Sequence, residues 1–281
     1  ASDSTITLNN NNNLILNGNG NAFRNDGILK GTISNIGVLA SFTNTGSITG
    51  LESGNITGTL SNSNTGIIDN LVVDGNVSQM QNAGNIGSLD IQKNLNYSGS
   101  GSITDSINIA SNTTLTTNGI TLNATKGSVN NLGTLAGALT LKGSSNTITN
   151  SGSITTIINN ANNSSLTNNS NIGTLKVYES VTYNGDGNDR ITQALEVAKD
   201  KTLTIQNSGS SNGTLSFNSK NGIINNLGTI EGNLANASKS TLDTFNNSGR
   251  LNGNITNKTN STITSFNNSG TITGDLYNEG H

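Results

Sequence analysis

The stretch from Phe245 to Gly270, FNNSGRLNGNITNKTNSTITSFNNSG, begins and ends on the same phrase. Its two Phe lie 21 positions apart in a chain that holds only five. Further copies of the pattern apolar-x-Asn-x-Gly begin at Phe23, Phe42, Met80, Val129, Ile148 and Ile224. Looser copies start at Leu60 and Leu166. Within each run, neighbouring copies are 18 to 21 residues apart. The position six after the anchor is apolar in nine of the ten copies, from Leu29 and Ile48 to Leu251 and Ile272. Between these points polar and apolar residues alternate, as at Ile272, Gly274 and Leu276 in GTITGDL. A period of two marks a strand with one buried face. Short strands recurring about every 20 residues predict an all-β fold, a right-handed single-stranded parallel β-helix of roughly 14 coils. One solenoid is expected over residues 1–281.

Stacking of coils brings equivalent residues above one another at about 4.8 Å. The anchor Phe are then expected to stack inside. The Asn two after each anchor is expected to form a ladder of amides, with Asn25, Asn44, Asn82, Asn131, Asn150, Asn226, Asn247 and Asn268 as its rungs and Asn62 and Asn168 from the looser copies. Gly in the motif is expected where the chain turns, through positive φ or close approach. The chain has no Pro, as suits coils whose N–H groups are all needed by a neighbour.

Composition excludes several classes. There is no Cys, hence no disulfide scaffold and no thiolate metal site. The net charge is −3, which argues against nucleic-acid binding and against a polybasic membrane patch. The longest apolar runs, LIL at 14–16 and LVV at 71–73, are too short to span a bilayer, so no direct membrane insertion by this segment is expected. Only 30% of residues are hydrophobic, a level shared with disordered tracts, but disorder does not require a period.

A longer duplication relates about 96–160 to 182–255. Within it NYSGSGSITDSINIASNTTLTT (96–117) matches TYNGDGNDRITQALEVAKDKTLTI (182–205), with Tyr97 on Tyr183 and Leu115 on Leu203. The offset grows from 86 to 88 and then to 95, which places insertions near GDGND (185–189) and QNSGSSN (206–212), on surface loops. The segment from Ile191 to Ala198 has helix-like spacing, but its partner ITDSINIA alternates, so both are expected to be strands. Charge gathers in the same region, from Lys176 to Lys201. Tyr178, Tyr183, Asp186, Asp189 and Arg190 are the candidate contact residues there, as aromatic and charged side chains on an inserted loop.

Catalytic signatures are sparse, and no enzymatic activity and no cofactor are expected. The single His is His281. Paired carboxylates for glycan cleavage are represented only by Asp69, Asp74 and Asp90, which do not share a register. NGDGNDRIT (184–192) resembles a repeat-in-toxin calcium motif, but it occurs once and that motif works in tandem, so no metal is expected. Thr-x-Thr units such as Thr202/Thr204 do not recur once per coil.

Coils such as NNSGTITGDL, with INIASNTTLT and LEVAKDKTLTI, resemble the passenger domains of Gram-negative autotransporters, secreted by the type V route. The resemblance implies a β-helix displayed at the cell surface or outside it, attached to the membrane through a translocator barrel beyond these residues. It implies an adhesin-like or self-associating role, with a host-surface protein or glycan, or another copy of the chain, as partner. A vacuolating-cytotoxin-like passenger is the alternative, and a glycan-active β-helix enzyme comes third.

Overall fold

The computed structural model describes residues 5–7, 13–187, 189–207, 210–211 and 213–281. It is all-β, without helix among these residues, and its parallel strands stack as a β-solenoid of about 14 turns. The segment from Arg190 to Val197 is a strand, as its duplicate predicted. The chain divides into two compact units, Ala1–Leu139 and Thr140–His281.

In the first unit each coil contributes inward residues to parallel columns. One column runs Phe23, Phe42, Leu60, Met80 and Tyr97, in register from strand to strand. A second runs Ile33, Leu51, Leu71, Leu89, Ile107 and Val129. The positions six after the anchors, Leu29, Ile48 and Ile86, fall in a third, which continues to Ile103 and Leu122. In the second unit Ile148, Leu166, Tyr183 and Ile205 share one column. Ile157, Leu175, Leu195, Ile224, Phe245 and Phe266 share another. Most of these side chains are less than 3% exposed. Within each unit a thin core of one apolar side chain per strand and coil is thus stacked from coil to coil, which is how a 30% apolar chain buries enough surface to fold.

The Phe pairs stack as the period required. Phe245 and Phe266 are register partners with ring centroids 4.8 Å apart and planes 7° from parallel. Phe23 and Phe42 stack at 5.1 Å. Phe42 and Phe245 are buried, Phe23 is half-buried, and Phe266 is 38% exposed.

The Asn positions form ladders too, but they are separate ladders on different columns. In the first unit Asn25 donates to Asn44, Asn44 to Asn62 and Asn62 to Asn82, at 2.8–2.9 Å. In the second unit Asn150 donates to Asn168 at 2.7 Å. Asn226, Asn247 and Asn268 form another run at 2.7 and 2.8 Å. Asn131 is buried beside Ile109. The motif changes column because it encodes a corner and not a side of the coil. Most of these amides also donate to corner carbonyls, as Asn44 does to Gly46 and Ile67 and Asn168 does to Ser170. Any corner that needs its carbonyls covered can carry it.

A further ladder, Asn236 to Asn257 to Asn278, escaped the sequence pattern. It follows Leu234, Ile255 and Leu276 with the same apolar-x-Asn spacing and a 21-residue period, but of its three rungs only Asn278 has Gly two residues later, at Gly280. The first rungs of two ladders rest on apolar side chains, Asn226 on Val197 and Asn236 on Phe217. Their buried Oδ1 atoms accept no hydrogen bond from the described protein. Each ladder therefore runs in one direction, donating toward the C-terminus.

The motif Gly is a close-approach residue. A Cβ on Gly46 would lie 2.0 Å from the carbonyl oxygen of Gly27 in the coil below. Left-handed corners are occupied instead by residues such as Asn112, Asp200, Lys239 and Asn260, with φ between 58° and 65°. The two roles foreseen for Gly at this position thus resolve to the second.

Candidate interaction surface

The five candidate contact residues do not form one exposed patch. Tyr183 is 0% exposed and Asp189 is 1% exposed. Tyr183 occupies an inward position of its strand, in register with Leu166 and Ile205. Its hydroxyl accepts from Asn168 Nδ2 at 2.8 Å and donates to Asp189 Oδ2 at 2.7 Å. Asp189 Oδ1 accepts the Gly187 N–H at 3.0 Å. The inserted corner thus folds its carboxylate inward to finish the Asn ladder, and both residues are corrected from contact groups to structural ones. Burial, then the adjacent Asp189 charge, holds the Tyr183 phenol well above its ordinary value. The equivalent Tyr97 of the first unit accepts from Asn82 at 3.0 Å, and burial raises its pKa as well.

Arg190 is half-buried, and its guanidinium donates to the carbonyls of Gly187 and Asp189 at 3.0 and 2.7 Å, clamping its own loop. Asp186 is exposed and Tyr178 is half-buried on another corner. Of the surrounding charges, Lys201 pairs with Glu179 at 2.6 Å and Lys176 with Glu196 at 3.7 Å. Both pairs are solvent-accessible and contribute about 0–1 kcal/mol each.

With both Asp189 oxygens engaged inside the protein, the calcium-like motif presents no tandem ligand set. Among the described residues no three His, Cys, Asp or Glu side chains gather as a metal site. Nor do the carboxylates on which the glycosidase reading depended face each other: Asp90 is in register with Val72 and Asp69 lies outside that pairing. Asn188, Ser208, Gly209 and Asn212, within the two inserted stretches, lie outside the described residues. The second insertion carries a short antiparallel pairing of Gln206–Asn207 with Ser210–Ser211, a departure from the parallel stack.

What the coils between these insertions present outward is a shallow open depression of about 520 Å³. Ser165, Thr182 and Thr204 form one column across three coils, and Thr167, Asn184 and Gln206 form the next. These residues alternate with buried Leu166, Tyr183, Leu203 and Ile205 and are half-buried themselves. Asn184 Nδ2 donates to Ser165 Oγ at 3.2 Å. The face carries hydroxyls and amides at the strand spacing in one direction and at two-residue spacing in the other, with no charge among them. Such a surface offers donors and acceptors to a neutral polar ligand. Sequence reading missed it because Ser, Thr, Asn and Gln stand in for one another within a column, so no single residue type repeats.

No family model matches the sequence, and neither a curated protein nor a solved structure shows significant similarity to it.

Proposed function

We propose that this chain is a non-catalytic attachment module, an autotransporter-type passenger displayed outside a Gram-negative cell, which binds a glycan or protein of a host surface. One observation carries the reading: the uncharged hydroxyl–amide face around Ser165, Thr182, Thr204, Asn184 and Gln206, held rigid by buried columns directly beneath it. Hydrogen bonds to such a face are individually weak, about 1 kcal/mol net each. Many copies on one cell turn weak contacts into firm attachment. The adhesin-like style of the coils points the same way.

The test is binding of the purified 281-residue chain to a glycan array and to host cells, alongside the double variant T182V/T204V. Both changes keep the β-branch and lie on the outer face, so the fold measured by circular dichroism stays unaltered. Two lost hydroxyl contacts are expected to weaken binding about tenfold or more. A folded chain that binds no glycan and no cell, or a double variant that binds as well as the parent, refutes the proposal.

A further inference from the structure

The hydroxyl–amide depression lies on a longer pair of rails. Thr147 is the register partner of Ser165, and Ser165, Thr182 and Thr204 follow one another coil by coil. Two residues further along each strand, Thr149, Thr167, Asn184 and Gln206 stack in the same way. The first rail carries hydroxyls throughout, and the second passes from hydroxyls to amides. Rungs repeat at about 4.8 Å along the stack, and the rails run about 6.6 Å apart. Above Thr204 the first rail ends on a carboxylate, Glu231, whose Oε1 accepts from Asn252 Nδ2 at 2.7 Å.

Outward hydroxyls elsewhere in the chain turn back onto their own sheet. Thr57 donates to the Leu39 carbonyl, Ser78 to Thr57, Thr104 to Ile86 and Thr273 to Leu251, at 2.8–3.4 Å, each reaching the coil below. The rails differ. Among the described residues, the hydroxyls of Thr147, Thr149, Thr167, Thr182 and Thr204 and the amide of Gln206 make no hydrogen bond, and Asn184 bonds across to Ser165 at 3.2 Å. All but the exposed Thr147 are half-buried. Their donors and acceptors are partly withdrawn from water, so a ligand that supplies partners gains most here.

A polymer that engages every rung must repeat at the coil spacing. An extended peptide presents same-side groups about every 6.6 Å, out of step with the rungs. A ribbon of β-linked pyranose rings advances by close to one strand spacing per ring and carries hydroxyls along both edges. Each hydroxyl donates and accepts, so either edge suits either rail. No Lys or Arg stands on the rails and Glu231 closes one end, which disfavours a polyanion. We infer that this face binds an extended, unbranched neutral polysaccharide laid along the stack, one sugar ring per coil over about four coils, from Thr147 to Thr204. This ligand class presupposes that the same face makes the attachment.

The test is binding of the full 281-residue chain to cello-oligosaccharides of increasing length. Each added ring gains about one net hydrogen bond, so affinity is expected to rise about fivefold per ring and to level off near four rings. T147V/T149V removes the outermost rung on the outer face and leaves the circular dichroism spectrum intact. Its affinity is expected to level off near three rings, with shorter oligomers bound as by the parent. The same oligomers with their primary hydroxyls oxidised to carboxylates are expected to bind at least tenfold more weakly. E231Q, which keeps an oxygen for Asn252, narrows that gap. No binding of the oligomers, affinity independent of their length, a preference for the oxidised ones, or a parent-like length profile in T147V/T149V would each overturn the inference. Host-cell binding that T182V/T204V weakens would, in any of those cases, leave the attachment reading standing with another ligand class. A folded chain that binds neither oligomers, glycan array nor cells overturns both.

Discussion

Replacing Gly249 by alanine is expected to destabilise the second unit by about 3 kcal/mol, at the upper end for overpacking. A Cβ built at Gly249 lies 2.0 Å from the carbonyl oxygen of Gly228 and 2.8 Å from the carbonyl carbon of Leu227. Both neighbours are backbone, so no rotamer change relieves the contact. The Gly228 oxygen is also the acceptor of the Arg250 N–H at 2.8 Å, and moving it apart opens the register on that side. The column repeats in the next coil, where a Cβ on Gly270 would lie 2.0 Å from the Gly249 carbonyl oxygen. Gly119 is the control. Its nearest atom to a new Cβ is 4.0 Å away and its φ is ordinary, so Gly119→Ala is expected to change stability by no more than about 0.5 kcal/mol. Urea unfolding followed by circular dichroism, with hydrogen exchange over residues 222–252, reads both. Equal stability of the two variants would mean that the coils do not approach through this glycine column.

The same column explains how far the sequence could be read. Local rules were fully legible: alternation gave the strands, and the apolar-x-Asn-x-Gly phrase gave the corners, because both depend on a few adjacent residues. The stacking of Phe245 on Phe266 followed, since both belong to one uninterrupted run of the motif. The phrase did not reveal which side of the coil it occupied. Val129 lies above Ile107 and Ile224 above Leu195, on residues that carry no motif, so a count of copies could not show that the ladders are separate. The contact residues were misjudged at Tyr183 and Asp189 for a related reason. Aromatic and charged residues on an insertion usually read as surface, whereas here the corner turns inward because the last rung of a ladder has an N–H to place. Its signal was present in the duplicated Tyr97, which ends the first unit's ladder at the equivalent position. The outward faces were the least legible, because their columns mix residue types and only the register assembles them.

The buried end of that second ladder yields the other large effect. Tyr183→Phe keeps the ring among Leu166 and Ile205 and removes one oxygen, so packing is preserved and hydrogen bonding alone is tested. Asn168 loses an acceptor at 2.8 Å, although it retains the Ser170 carbonyl. Asp189 loses the hydroxyl donor at 2.7 Å and is left buried with only the Gly187 N–H. A buried carboxylate stripped of a donor costs more than a neutral group, so a loss of about 3 kcal/mol is expected. Tyr97→Phe disturbs only the Asn82 amide and is expected to cost about 1 kcal/mol. Alkaline pH supplies a second readout. The folded-state pKa of Tyr183 lies above the unfolded value near 10, because burial and then Asp189 oppose ionisation. Its contribution is therefore fully present below pH ~10 and is lost as pH rises beyond, since the unfolded chain releases the proton first. The parent protein should weaken steadily above pH ~10, with tyrosinate absorbance from the buried rings appearing only as the coils unfold. Tyr183→Phe should start from lower stability and lose less over that range. A variant as stable as the parent at neutral pH, with the same alkaline decline, would show that the phenol does not end the ladder.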